Sequence, residues 1–191
     1  MAGPARSVLL LDTVLETDPR GQWIRLDRDS ADDDGLVQKI AEFKSLDYPA
    51  GVEAARWLRE DAYDNDGLTK TRVLVSEERV EGFIATCFGT VELTHGGIRR
   101  LTVPRHLRRR QAPAFVVCWV AKNRESEIPG AQLMLTAVAL ARDAKRNSGL
   151  VALALDPHDE DVARMWRESP WHFQKCRERG DGRPTRHYIP I

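Results

Sequence analysis

One stretch governs what this chain can fold into. Ala114-Phe-Val-Val-Cys-Trp-Val-Ala121 is its most apolar run, followed by the polar Lys122–Pro129 and then by Gly130. An uncharged run rich in β-branched and aromatic residues suits a strand covered on both faces, so it is expected at the centre of a sheet. Beyond Gly130, the residues Leu133, Ala137, Leu140, Ala141 and Ala144 share one face of a helix expected to reach about Asn147 and to be capped by Gly149. Leu150–Leu155 then reads as a strand, Asp159–Arg167 as a shorter helix and Thr185–Ile189 as an edge strand. Strand, helix and strand in this order predict a parallel crossover near the centre of a mixed sheet.

The first half has a different rhythm. Two short extended segments, Val8–Leu15 and Trp23–Leu26, flank the turn-forming Asp18-Pro19-Arg20-Gly21. Asp32, Asp33 and Asp34 then stand where a helix N-terminus favours carboxylates, with Leu36, Ile40 and Phe43 at helical spacing behind them. Pro49 opens a second helix whose apolar side is expected to hold Val52, Ala55, Trp57, Leu58 and Ala62, and Tyr63–Gly67 ends it. Thr71–Ser76 and Val80–Leu93 read as strands split by Glu77-Glu78-Arg79, and Ile98–Val103 as a further strand after Gly96-Gly97.

Composition narrows the function. The chain has 191 residues, 42% hydrophobic and 30% charged, which suits one domain with a packed core. Its 29 basic and 29 acidic side chains cancel, so attraction to nucleic acid or membrane must come from a local patch. Val8–Leu11, the longest early apolar run, is too short to span a bilayer or form a signal-peptide core. Cys87, Cys118 and Cys176 are widely spaced, with no C-x-x-C pair, as expected for a soluble cytoplasmic protein without a disulfide framework or zinc knuckle. Calcium loops fail too. With Gly35 sixth, Ser30, Asp32 and Asp34 fit but Ala41 closes the loop, and with Gly67 sixth, Ala62 opens it and Val73 closes it. The five histidines lack metal spacing, so no metal site is expected. Neither a G-x-S-x-G elbow nor a Walker loop is present.

The unit from Phe115 to Phe173 carries the chemistry. A helix opened by glycine presents unpaired N–H groups to which a phosphate can dock without a charged side chain. This segment resembles the core of the GCN5-related N-acetyltransferases (GNAT), and within them the branch of toxin-like acetyltransferases from toxin–antitoxin pairs. Val117-Cys-Trp-Val-Ala121 matches the family strand, Arg124-Glu-Ser-Glu-Ile-Pro-Gly130 its glycine-containing loop, and Leu133 the leucine that follows. Leu153-Ala-Leu-Asp156, Asp159-Glu-Asp161 and Ala163-Arg-Met-Trp-Arg-Glu-Ser-Pro-Trp-His-Phe173 occupy the places of the next strand, the acidic turn and the aromatic signature. Phe43–Ala62 is similar to the branch's N-terminal helix, and the likeness covers roughly residues 40–175.

The resemblance implies an α/β (α+β) GNAT fold over one domain, residues 1–191, with a mixed central sheet, a strand–loop–helix coenzyme-binding crossover and helices on both faces. It implies acetyl-CoA as co-substrate, held by Trp119, Val120, Ala121, Arg124, Ile128, Pro129, Gly130, Ala131 and Asp159. The amides near Val120 and Ala121 would polarise the thioester carbonyl. Met165-Trp166 stands where the family has Phe-Tyr, so Trp166 takes the place of the usual acid, and an indole N–H does not release its proton. Tyr188, His158 and Cys118 are further proton-handling candidates; their plain readings are a sheet-edge aromatic, a turn residue and a core thiol. Trp166 and Tyr188 are kept as the catalytic pair.

Arg105-His-Leu-Arg-Arg-Arg110 is either a solvated loop or, as the branch implies, a surface by which Arg105, Arg108, Arg109 and Arg110 hold tRNA. Two functions follow. One is acetyl transfer to a primary amine such as that of aminoacyl-tRNA, with an antitoxin or a second copy as partner. The other is a catalytically degenerate GNAT-fold binding module.

Overall fold

A computed structural model describes residues 21–65, 67–101, 111–177 and 185–191. Val8–Leu15 and the arginine-rich Arg105–Arg110 lie outside these residues. Strands β1 (Gln22–Arg25), β2 (Lys70–Val75), β3 (Val80–Glu92), β4 (Gln111–Lys122), β5 (Ala152–Leu155), β6 (Gln174–Lys175) and β7 (His187–Pro190) form one sheet in the order β1-β2-β3-β4-β5-β7-β6. The sheet is mixed. β4 and β5 run parallel, whereas the β1–β2, β2–β3, β5–β7 and β6–β7 pairs are antiparallel. The apolar stretch 114–121 lies within β4, the central strand, as its composition predicts. The packing divides into two compact units: residues up to Thr86 with Trp119–Leu140, and Cys87–Cys118 with Ala141–Ile191.

The first unit is built on helices α1 (Asp34–Ala41) and α2 (Pro49–Glu60). Asp33 caps α1, its Oδ1 accepting from the N–H groups of Gly35 at 3.0 Å and Leu36 at 3.1 Å. Leu36, Ile40, Phe43, Ala55 and Leu58 are buried with Val73 and Phe83 of the sheet. Val52 departs from expectation: it is 60% exposed. Gly51 faces inward in its stead, where a Cβ would meet the Leu46 carbonyl oxygen at 2.3 Å. The small residues Gly51, Ala54 and Ala55 form the buried side of α2 and rotate Val52 outward.

In the second unit, Ile98 does not open a strand. His95–Arg100 forms helix α3, and Leu101 follows as its C-cap. The side chain of Thr94 decides the difference, accepting from Gly97 N–H at 3.2 Å while its carbonyl accepts from Ile98 N–H at 3.0 Å. A cap and first turn outweigh the strand preference of a single β-branched residue. Helix α4 (Gly130–Ser148) ends at Gly149, whose φ of +69° and N–H bond to the Lys145 carbonyl make it the left-handed cap. α5 (Glu160–Glu168) follows β5. β7 is not an edge strand. The two-residue β6 pairs with it, Gln174 opposite Tyr188 and Lys175 opposite His187, so Tyr188 and His187 are covered. Two residues are too short to register as a strand in the sequence pattern.

Tyr188 is 1% exposed, and its hydroxyl fits only because position 97 carries no side chain. A Cβ at Gly97 would stand 2.5 Å from the Tyr188 oxygen. Alanine would favour α3 by about 1 kcal/mol on propensity alone. The clash reverses that sign, and Gly97→Ala should lower stability by about 1–3 kcal/mol in urea denaturation. Tyr188→Phe should recover part of the loss in the double variant, giving a non-additive cycle; additive effects would show that the two sites do not meet.

Candidate functional site

The loop after β4 is held from within. Asn123, 5% exposed, donates its N–H to the Glu81 carbonyl at 2.8 Å and its Nδ2 to the Val80 carbonyl at 3.0 Å. Its Oδ1 accepts from Glu125 N–H at 3.1 Å. Lys122 Nζ donates to the Ser126 carbonyl at 2.9 Å and the Ile128 carbonyl at 3.4 Å, and Ser126 Oγ accepts from Ile128 N–H at 3.2 Å. These bonds fix the loop before the helix starts.

The start of α4 stays open. Pro129, Gly130 and Ala131 are exposed, and a Cβ at Gly130 would meet no atom within 4 Å. The first turn of a helix points its N–H groups outward, and of those of α4 the Gln132 N–H donates to the Pro129 carbonyl at 2.9 Å. Further along, Leu133 settles on β3 at Gly82, where a Cβ would stand 3.0 Å from both leucine methyls and 3.1 Å from the Ala121 carbonyl oxygen. Ala121 and Ile128 are buried, while Trp119 stacks on Trp57 with ring centroids 5.8 Å apart. Trp119 is thus a wall of the first unit's core, and Val120 is half-buried beside it.

The two loop carboxylates differ. Glu125 is held on Arg79 at 2.9 Å, and Arg79 also meets Glu78 at 2.9 Å and Glu81 at 3.9 Å. The Glu78 hydrogen bond, with the charges of Glu81, Glu78 and Glu125, raises the Arg79 guanidinium above its ordinary range. Glu127 is exposed. Arg124 is turned toward the α1–α2 connection: its N–H donates to the Lys44 carbonyl at 2.8 Å and its guanidinium lies 3.5 Å from Asp47. That exposed ion pair is weak and leaves the side chain free to move.

The remaining candidates lie in the second unit. Asp159 is the N-cap of α5, with its carboxylate accepting from Val162 N–H at 2.8 Å. Trp166 packs edge-on against Phe173 at 5.7 Å, and its carbonyl accepts from Ser169 Oγ at 2.7 Å. Tyr188 donates its hydroxyl to Gln174 Oε1 at 3.2 Å. His158 is exposed in the bend before α5. Cys118 is half-buried rather than core, with its sulfur against that of Cys87. Among the described residues, no three His, Cys, Asp or Glu side chains gather as a metal site, and no helix is long and apolar enough to cross a membrane.

Neither a protein-family model nor a curated protein sequence matches the chain. Solved structures do. AtaT complexed with acetyl-methionyl-tRNAfMet has a TM-score of 0.63 at 15% identity, over 88% of this chain and 94% of that one. A Tyr-to-Phe mutant of the AtaT toxin, bound to the C-terminus of the antitoxin AtaR and acetyl-CoA, scores 0.57 at 14% identity, over 79% and 84%. A Tyr-to-Phe mutant of KacT scores 0.55 at 16% identity, over 88% and 95%. This chain has the GNAT fold. The expected fold class, with its mixed sheet and strand–loop–helix crossover, is the one found.

Within this GNAT fold, sequence reasoning passed over Asn123 and His187. Asn123 sits inside the loop motif, but nothing in its spacing says that its amide is buried. His187 is fully buried in β7. Its Nδ1 lies 2.7 Å from the Thr185 carbonyl and its Nε2 3.3 Å from Arg167 Nη1, so Nδ1 carries the proton and Nε2 accepts from the guanidinium. Arg167 is tied in turn to Glu160 at 2.8 Å. Burial lowers the imidazole pKa below its ordinary 6.5, and the charges of Arg167 and Lys175 add to the effect; the Thr185 carbonyl and Glu160 oppose it.

A pH dependence follows. Because the folded protein resists protonation at His187 while the unfolded chain does not, stability should fall as pH drops below 6.5 and level off beneath the folded pKa. His187→Gln should flatten this part of the profile of Tm between pH 7 and 5. An unchanged slope in the variant would assign the acid sensitivity to other groups.

Proposed function

We propose that this protein is an N-acetyltransferase that moves an acetyl group from acetyl-CoA to a primary amine, and that the amine is the amino group of an aminoacyl-tRNA. The observation that carries the reading is the braced loop 123–129 delivering an open helix start at Gly130, in a fold shared with proteins solved with acetyl-CoA and with an acetylated aminoacyl-tRNA. The residues present fit the coenzyme. The exposed start of α4 at Gly130 and Ala131 offers N–H groups to a pyrophosphate, and Arg79 holds one of the two loop carboxylates, Glu125. Ile128, Pro129, Gly130 and Ala131 would line that approach, Arg124 would swing from Asp47 to a phosphate, and Trp119, Val120 and Ala121 would carry the strand along which the pantetheine lies.

Acetyl-CoA supplies an activated acyl group as a thioester. The chain's part is to align the amine with it, offer the strand amides of Val120 and Ala121 to the carbonyl oxygen and keep water away. Trp166 can donate a hydrogen bond but no proton, so the leaving thiolate takes its proton from solvent or from the amine itself. Arg105, Arg108, Arg109 and Arg110 would hold the tRNA backbone, and an antitoxin or a second copy would be the protein partner. An aminoacyl-tRNA acceptor puts the reaction in the cytoplasm, and we read the whole chain as one acetyltransferase domain.

A second reading, a binding module that has lost the chemistry, has one observation in its favour. Trp166 is engaged with Phe173 and the Tyr188 hydroxyl with Gln174, which gives neither side chain an obvious proton to lend.

Acetyl-CoA at about 100 times its Kd should stabilise the folded protein by about 2.7 kcal/mol, raising Tm by about 5–10 °C. Gly130→Trp, at a position with open space around it, should fold normally and lose the shift. Labelled acetate recovered on aminoacyl-tRNA would support transfer. A Tm shift without transfer to any amine would favour the binding module, and no shift would remove the coenzyme site.

The tRNA surface has its own test. Changing Arg108, Arg109 and Arg110 together to Ala should weaken tRNA binding and reduce the slope of log affinity against log salt by about two units, leaving the acetyl-CoA shift intact. An unchanged slope would make these arginines ordinary surface and point to another amine.

A further inference from the structure

β3 and β4, neighbours in the sheet, bring two thiols together. The sulfur atoms of Cys87 and Cys118 are 3.3 Å apart, with the Cys118 S–H donating to Cys87. Both side chains are half-buried, so a small solute can reach them, whereas Cys176 is buried in the core of the same unit. Next to the pair stands Arg186, held by both carboxylate oxygens of Asp156 and donating to the Thr90 carbonyl at 2.8 Å.

We propose that Cys87 and Cys118 form an oxidant-reactive dithiol, in which Cys87 attacks a small hydroperoxide and Cys118 resolves the product into a disulfide linking β3 to β4. The division of labour follows from the surroundings. Cys87 receives the Cys118 S–H bond and the Arg186 charge, which bring its pKa down to about 7 against the opposing effects of burial and Asp156. Cys118 is pushed up, because it gives the shared hydrogen bond, is buried and faces the Cys87 charge. One sulfur is therefore poised as thiolate and the other keeps its proton, the arrangement that attack followed by resolution requires.

The steps balance. The Cys87 thiolate attacks the terminal peroxide oxygen; an S–O bond forms, the O–O bond breaks, and the departing alkoxide takes the hydroperoxide proton to leave as an alcohol. Cys118 sulfur then attacks the oxidised Cys87 sulfur, an S–S bond forms, the S–O bond breaks, and the released oxygen leaves as water, taking the Cys118 proton and, from solvent, the proton that Cys87 gave up on ionising. Two thiols are oxidised and one hydroperoxide is reduced. The sulfurs must close from 3.3 Å to about 2.05 Å, a movement within reach of side-chain rotation between adjacent strands. This chemistry is independent of acetyl transfer and occupies a different set of residues.

The test uses the full reduced chain and hydrogen peroxide as the probe. One equivalent at pH 7 should yield a species about 2 Da lighter, with peptide mapping joining Cys87 to Cys118 and dithiothreitol reversing it. In Cys118→Ala the reaction should stop at Cys87 sulfenic acid, about 16 Da heavier and trapped by dimedone. Wild-type Cys87 should react with iodoacetamide with a midpoint near pH 7, about five-fold faster at that pH than in Cys118→Ala. A link through Cys176 or between chains, or an alkylation midpoint at the ordinary thiol value in wild type, would overturn the proposal. The wild-type measurements decide this even if the variant does not fold.

Discussion

At the exit of the central strand a single buried amide carries the loop that leads to α4. Asn123 uses its N–H, its Nδ2 and its Oδ1 to bond Glu81, Val80 and Glu125, joining β3 to the loop through three groups of one residue. Burying an amide without partners costs several kcal/mol, so the side chain has one low-energy placement and the loop inherits it. Lys122 and Ser126 satisfy the next carbonyls and N–H. The loop's own amides are thus largely spoken for, whereas the start of α4 at Gly130 stays exposed. A loop with one glycine keeps its shape because the segment before Gly130 is held by side chains.

The second unit is organised around buried polar groups of a different kind. His187 and Tyr188 follow one another on β7, and each satisfies its polar atom locally, against Thr185 and Arg167 for the imidazole and Gln174 for the hydroxyl. Gly97 makes room for the hydroxyl and β6 covers the strand. Tyr188 therefore reads as a structural element with a satisfied hydroxyl. Trp166 behaves similarly, capping the turn after α5 through Phe173 and Ser169. The acetyl transfer proposed above is compatible with both arrangements, because a positioned amine attacking a thioester needs alignment and carbonyl polarisation before it needs a side-chain acid.

Reactive sulfur sits beside this scaffold. Cys118 lies immediately before Trp119, where β4 passes from the second unit to the first. Its pairing with Cys87 places the proposed dithiol on the same strand that leads into loop 123–129, in a sheet position where two neighbouring strands hold the sulfurs 3.3 Å apart.

Much was legible in the sequence because it depended on local pattern. The apolar run 114–121 had to be central, since only a strand buried on both faces tolerates such composition, and Gly130 and Gly149 marked the limits of α4 by their neighbours alone. The order of strand, loop and helix was readable for the same reason, while the fold it belongs to was read from the resemblance of its motifs to a family. Other features were decided by contacts that no residue pattern registers. Val52 points outward because α2 approaches the Leu46 carbonyl at Gly51, and β7 is interior because two residues of β6 reach it. The burial of Asn123 and His187, and the meeting of Cys87 with Cys118, arise where separate elements converge. Periodicity reports which face of an element is apolar; it holds no record of which polar groups will be enclosed together, and that enclosure sets their hydrogen bonds and their acidity.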